Sequence, residues 1–227
     1  MNQSGRPLTF AVLGGAGAMG RITVETTPLG TEVLIADYNL PAAKKLAREM
    51  GPKARAIKVD VTQVGATAKA LKGVFAVVNA CRHDFNVGIM KAALTAKVHY
   101  CDLGGLFHET KKQLKLNAQF KKAGLIALCG IGAAPGVVNV LARAAADEME
   151  RVDEIHVAFH GTGGPACARQ HHGALGSLSR AWYDGRWQER PGGTGRELCW
   201  FPDPIGAHDC YRAALPDPLL LHRAFPE

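Results

Sequence analysis

Between residues 8 and 147, short apolar runs alternate with segments whose apolar residues recur at helical spacing. Leu8 to Leu13 is the first run and stops at glycines; from Arg21 onward the pattern supports a helix, so the chain opens as strand, tight turn, helix. Glu32 to Ala36 reads as a second strand with Asp37 at its end. Asn39 then caps a helix through Met50, with Pro41 in its first turn and Gly51 placed to end it. A third strand, Ala54 to Val59, leads into Asp60-Val61-Thr62, where Thr62 is expected to cap a helix ending near Leu71. Val74 to Val78 is continuously apolar, as in a strand buried on both faces, and Asn79 marks its end. Ile89, Met90, Ala93 and Leu94 predict a helix. Strands follow around His99 to Leu103 and Leu125 to Cys129, with a helix through Gln113 to Lys122 between them.

Strands alternating with helices imply an α/β fold: a Rossmann, doubly wound parallel sheet covered on both faces, occupying residues 1–150. From Arg151 the pattern changes. Glu154 to Phe159 alternates as a strand, while residues 160 to 215 are rich in Gly, Pro, His and Arg without a clear period. That segment reads either as part of a second domain or as poorly ordered chain.

The chemistry begins at the first turn, Gly15-Ala16-Gly17-Ala18-Met19-Gly20. In a G-x-G-x-x-G loop between strand and helix, the first glycine makes the bend, the second admits a pyrophosphate and the third lets helix and strand pack closely. Free amides and partial positive charge at the helix start then face the anion. Asp37 stands at the end of the second strand, roughly 20 residues on, where a carboxylate accepts hydrogen bonds from ribose hydroxyls and repels a 2′-phosphate. NAD is favoured over NADP, although Lys44, Lys45 and Arg48 are nearby cations that suit a phosphate. Asp60 and Val61 are placed toward an adenine, and Asn79 and Ala80 toward the nicotinamide end of the crevice. Gly130 to Gly136 is a second small-residue loop before a helix, with Asn139 in that helix's first turn.

The formal charge of +7 changes little: Lys and Arg are scattered, without a run of five like charges, so nucleic acid is not an expected partner. No apolar stretch approaches the roughly 18 residues of a membrane span. The six cysteines show neither C-x-x-C nor zinc-like spacing, so no metal is expected; they read as reduced thiols of a cytoplasmic protein.

The segments VLGGAGAMGR, NACRHDFNVGIMKAAL, HYCDLGGLFHET and GIGAAPGVVNVLAR, in that order, resemble the saccharopine dehydrogenase-like family, which includes saccharopine reductases and lysine 6-dehydrogenases. The resemblance covers residues 8 to 160 and returns faintly in DGRWQERP and LHRAFPE. It implies a dinucleotide-binding domain joined to a second, α/β domain for substrate or dimerisation, of which residues 151–227 are expected to be part, together with hydride transfer between nicotinamide and a carbon bearing an amino-acid nitrogen, and a homodimer. Relatives continue well past the position of Pro226, so the substrate domain is expected to be incomplete.

By position, His83 falls where a saccharopine reductase places a tyrosine near its substrate. Oxidising an amine to an imine needs a proton acceptor as well as a hydride acceptor; His83 suits the first task, and Asp102 can orient a cationic substrate nitrogen. The expected function is thus an NAD(P)-dependent oxidoreductase acting on the CH-NH group of an amino acid or related amine. The alternative is a non-catalytic dinucleotide-binding relative. Fold alone does not choose between them.

Overall fold

A computed structural model describes residues 7–160, 176, 178–183 and 186–225, which divide into two units. The first takes the chain up to Leu103 together with Lys112–Ile131; the second takes Gly104–Lys111 and the chain from Gly132.

In the first unit the apolar runs form β1 (Thr9–Leu13), β2 (Glu32–Asp37), β3 (Ala54–Lys58), β4 (Ala76–Asn79), β5 (His99–Asp102) and the short β6 (Ala127–Leu128). Its helices are α1 (Ala18–Glu25), α2 (Leu40–Met50), α3 (Val64–Ala70), α4 (Asn86–Ala96), then α5 (Phe107–Leu114), which belongs to the second unit up to Lys111 and to the first from Lys112, and α6 (Asn117–Lys122). All strand pairings are parallel, in the order β3-β2-β1-β4-β5-β6. Winding reverses between β1 and β4, so a crevice opens at their C-terminal ends, where ligands bind in open parallel sheets.

Alternate side chains of a strand point to opposite faces, so β1 and β2 serve two cores at once. Ala11, Leu13, Leu34 and Ala36 pack with Leu71, Ile89 and Met90, whereas Val12, Val33 and Ile35 pack with Val24, Ala43 and Leu46. Each fully buried aliphatic side chain contributes roughly 1.5–3 kcal/mol, which is why the buried positions of both parities in these strands are apolar.

Helix starts and breaks show which local signals prevail. Asn39 caps α2 as expected, its side chain accepting from the Ala42 amide at 3.2 Å. Thr62 does not cap: its amide and hydroxyl both donate to Asp60 Oδ1, at 3.0 and 2.7 Å, and α3 starts later behind Gln63. The single helix expected through Gln113 to Lys122 is α5 and α6, separated at Lys115-Leu116. That break buries Leu116 and Phe120 in the apolar core while Gln113 turns into a polar cluster.

The second unit contains α7 (Val137–Asp147), β7 (Leu178–Tyr183), β8 (Arg186–Pro191), β9 (Glu197–Phe201), β10 (Gly206–Cys210) and α8 (Asp217–Ala224). Its β7–β8 and β9–β10 sheets are antiparallel pairs. Within this unit α7 is tied to α8: Asn139 Nδ2 donates to Asp217 Oδ1 at 3.2 Å, and Arg143 lies 5.3 Å over the Phe225 ring. Glu154 to Phe159 has the alternation of a strand but belongs to none among the described residues. Alternation prepares a face for burial without supplying a partner, and here neighbouring polar side chains pair locally, His156 with Glu154 at 2.8 Å and Arg151 with Asp153.

Candidate functional site

The turn after β1 sorts its glycines by task. The Gly14 amide donates to Ala36 O at 2.9 Å, holding the loop against β2. Gly15 is buried: a Cβ there would lie 2.9 Å from Ile35 Cγ2 and 3.0 Å from Val12 O. At Gly20 a Cβ would lie 2.0 Å from Gly14 O, so only glycine lets α1 approach the loop. Gly17 is different. It precedes α1 with φ −74° and ψ 170°, is exposed, and a Cβ there would meet only Gly14 O, at 3.2 Å. Gly17, Ala18 and Met19 therefore form the outward surface of the turn, where first-turn amides lack intrahelical acceptors. This surface fits a pyrophosphate.

Asp37 joins that turn to the end of β2. Its Oδ2 accepts from the Ala16 amide at 2.9 Å and its Oδ1 from the Asn39 amide at 2.8 Å. The carboxylate thus fixes the glycine turn and stands at the edge where an adenosine ribose would lie. Lys44 and Arg48 line a hollow with Gly51 and Ala54, toward the start of β3 and away from Asp37. Lys58, which the sequence reading did not weigh, pairs with Asp37 across β2 and β3 and sets its ammonium 5.3 Å from the Tyr38 ring centroid.

Across the winding reversal, the Ala80 amide donates to Leu13 O at 3.0 Å, and a Cβ on Gly14 would lie 3.1 Å from Cys81 Sγ. The β4 end is consequently packed against the glycine turn. Asn79, only 1% exposed, accepts from the Cys81 amide at 3.0 Å and donates to Asn86 Oδ1 at 2.8 Å. Asp60 closes its own turn onto Thr62, and those hydrogen bonds lower its carboxyl below the ordinary range. Val61 packs against the apolar core.

Asp102 is the hub of a buried polar cluster. It is 1% exposed; Oδ2 accepts from Tyr100 Oη at 2.7 Å and Gln113 Nε2 at 2.5 Å, and Oδ1 accepts from the Gly130 amide at 2.9 Å. Asn86 Nδ2 extends the chain to Gln113 Oε1 at 3.2 Å. Burial and the neighbouring Asp102 charge push the Tyr100 phenol well above its ordinary value, so it stays a neutral donor. The carboxylate also sits at the base of a connection: Ile131 donates to the Asp102 carbonyl at 2.9 Å. Chemically this is an acceptor that fixes the segment leaving β6. Tyr100, Asn86 and Gln113 escaped the sequence reading, where a lone polar residue carries no period.

His83 is half-buried in a single 3₁₀ turn, His83–Phe85, just beyond β4. The preceding Arg82 pairs with Asp84 at 2.7 Å and covers the Phe85 ring, which shapes this turn. In the second unit, Gly136 has φ 129° and a Cβ there would lie 2.1 Å from Gly132 O, so the loop before α7 is closed too tightly for any other residue. Asn139 Oδ1 accepts from the Gly136 amide at 2.6 Å while its other end holds Asp217. Burial raises the Asp217 carboxyl above the ordinary range.

Among the described residues no cluster of three or more His, Cys, Asp or Glu is arranged to hold a metal, and no helix is long and apolar enough to cross a membrane.

Known proteins resemble this chain in sequence and in fold. The model of the saccharopine dehydrogenase NADP binding domain matches residues 10–128. A carboxyaminopropylagmatine dehydrogenase from Synechocystis sp. is 30% identical over 154 residues, covering 63% of this chain and 38% of that protein. The apo structure of saccharopine dehydrogenase (L-Glu forming) from Saccharomyces cerevisiae superposes with a TM-score of 0.63 at 21% identity, covering 91% of this chain and 50% of that one. The chain thus spans half or less of the length of these relatives.

Proposed function

The chain belongs to the saccharopine dehydrogenase family through its NADP-binding domain, and on that premise we propose that it is an NAD(P)-dependent oxidoreductase acting on the CH-NH group of an amino acid or related amine, with NAD as the preferred cofactor. One observation carries the cofactor reading: Asp37 grips the Ala16 amide of the glycine turn while standing at the ribose edge of the sheet. In this reading Gly17, Ala18 and Met19 receive the pyrophosphate, Asp37 the ribose hydroxyls, and Asn79 with Ala80 border the nicotinamide end. The bound nicotinamide supplies the hydride chemistry. His83, beyond β4, takes the substrate's ammonium proton. The Synechocystis relative's name denotes a carboxyl-bearing amine, which suits a substrate of this class.

Asp102 has a different part from the one its sequence position suggests. With both oxygens engaged by Tyr100, Gln113 and Gly130, it positions the β6 exit rather than a substrate nitrogen. That engagement favours a second reading, a dinucleotide-binding protein without turnover. NAD-dependent oxidation of lysine, saccharopine and a panel of amines separates the two.

Cofactor choice has its own test. NADH should bind more tightly than NADPH, and Asp37→Ser should narrow the gap by removing repulsion against the 2′-phosphate. Equal affinities in the unmutated protein, or NADPH binding that depends on Lys58, contradict the preference.

A further inference from the structure

The β9–β10 hairpin carries two thiols that the dinucleotide chemistry does not use. In its register Cys199 faces His208 and Cys210 faces Glu197. Directly opposed residues share a face, as do residues two apart on one strand, so Glu197, Cys199, His208 and Cys210 lie on one face with the cysteines on a diagonal. The diagonal sets the two side chains beside each other on that face. Both are half-buried and neither is in a disulfide. His160 packs on His208, with ring centroids 4.8 Å apart.

We propose that Cys199 and Cys210 form a reversible cross-strand disulfide when the protein meets a hydroperoxide, making this hairpin a redox modification site. With hydrogen peroxide, one oxygen passes to the Cys199 sulfur and water leaves, giving a sulfenic acid. The Cys210 sulfur then attacks it: the S–S bond forms, the S–O bond breaks, and a second water leaves. The two thiols lose two electrons to the peroxide, whose O–O bond is broken.

The surroundings of the two thiols differ. Burial, the neighbouring Cys199 thiol and the charges of Glu197 and Asp209 raise the Cys210 thiol, so Cys210 is the poorer first nucleophile. Cys199 instead stands opposite His208 in the register. Elsewhere, burial pushes Cys81 up to about 12, Cys101 to about 11 and Cys129 to about 12, which keeps those thiols protonated. Diagonal Cα atoms in a sheet stand roughly 7–8 Å apart, beyond the roughly 4.4–6.8 Å usual for a disulfide, so bonding requires the backbone to move and draws the strands together. A two-stranded sheet yields readily, and the resulting bond is one that cellular thiols can reduce.

The test uses the full chain, reduced and then treated with hydrogen peroxide before alkylation and digestion. Trypsin releases Glu197–Arg212 as one peptide containing both cysteines. After oxidation this peptide should be lighter by two hydrogen atoms, take up no alkylating agent, and hold its halves together when Asp203-Pro204 is cleaved with acid. Reductant should reverse all three. Cys210→Ser should strand the sulfenic acid on Cys199, trapped with dimedone, whereas Cys199→Ser should lower labelling at Cys210 about tenfold. Full alkylation of both cysteines after peroxide, or bonding of either to Cys167 or to a second chain, overturns the proposal. These readouts need no cofactor, so they stand or fall apart from the enzymatic reading.

Discussion

Gly17→Val should lose NADH binding on the order of 100-fold, a change of about 2.7 kcal/mol, while remaining folded. The backbone at Gly17 has φ −74°, open to any residue, and its added Cβ would meet only Gly14 O at 3.2 Å. The valine branches therefore project from the exposed turn into the space a pyrophosphate needs. Gly20→Ala is the contrasting variant, because its Cβ would sit 2.0 Å from Gly14 O and the turn itself must distort. Equilibrium titration with NADH and a thermal melt distinguish the outcomes. Unchanged affinity in folded Gly17→Val would remove the glycine turn from the binding site.

Asp102→Ala should destabilise the first unit by on the order of 3–5 kcal/mol, since buried donors left without an acceptor cost about 1–3 kcal/mol each. Three lose their acceptor at once: Tyr100 Oη, Gln113 Nε2 and the Gly130 amide. Asp102→Asn should cost less but still measurably. Its oxygen can serve Gly130, yet its amide then meets the Gln113 amide, and flipping Gln113 breaks the bond from Asn86. Denaturant unfolding gives the energies, and hydrogen exchange at Gly130 and Ile131 shows whether the β6 exit loosens first. A loss within about 0.5 kcal/mol for Asp102→Ala would mean the cluster does not organise this part of the fold.

The contrast between these two residues shows what a sequence conveys. The glycine turn around Gly17 was legible because its geometry is local: glycines at fixed spacing between an apolar run and a helix start, with Asp37 closing the pattern one strand later. The parallel sheet was legible for a related reason. Strands buried on both faces read as unbroken apolar runs, and each is separated from the next by a helical period. Asp102 was visible as a strand-end acid, but its partners lie up to 28 residues away, so its engagement with Gly130 could not be foreseen. Glu154 to Phe159 marks the other limit. Its alternation matches a strand, but only tertiary context decides whether a partner is present. The two hairpins of the second unit were hidden differently, in a segment where Gly and Pro blur the period that register depends on.

Hydrogen exchange of the unmutated chain with and without saturating NADH tests the central claim most directly, that the turn after β1 binds a dinucleotide. Ligand that binds the folded state slows exchange where it covers or orders the backbone. Protection should appear at Gly14 to Gly20, at Asp37 and at Asn79 to Cys81, the three strand ends around the winding reversal, while β9 and β10 exchange as before. The absence of saturable protection, or protection confined to segments away from those strand ends, would contradict the assignment.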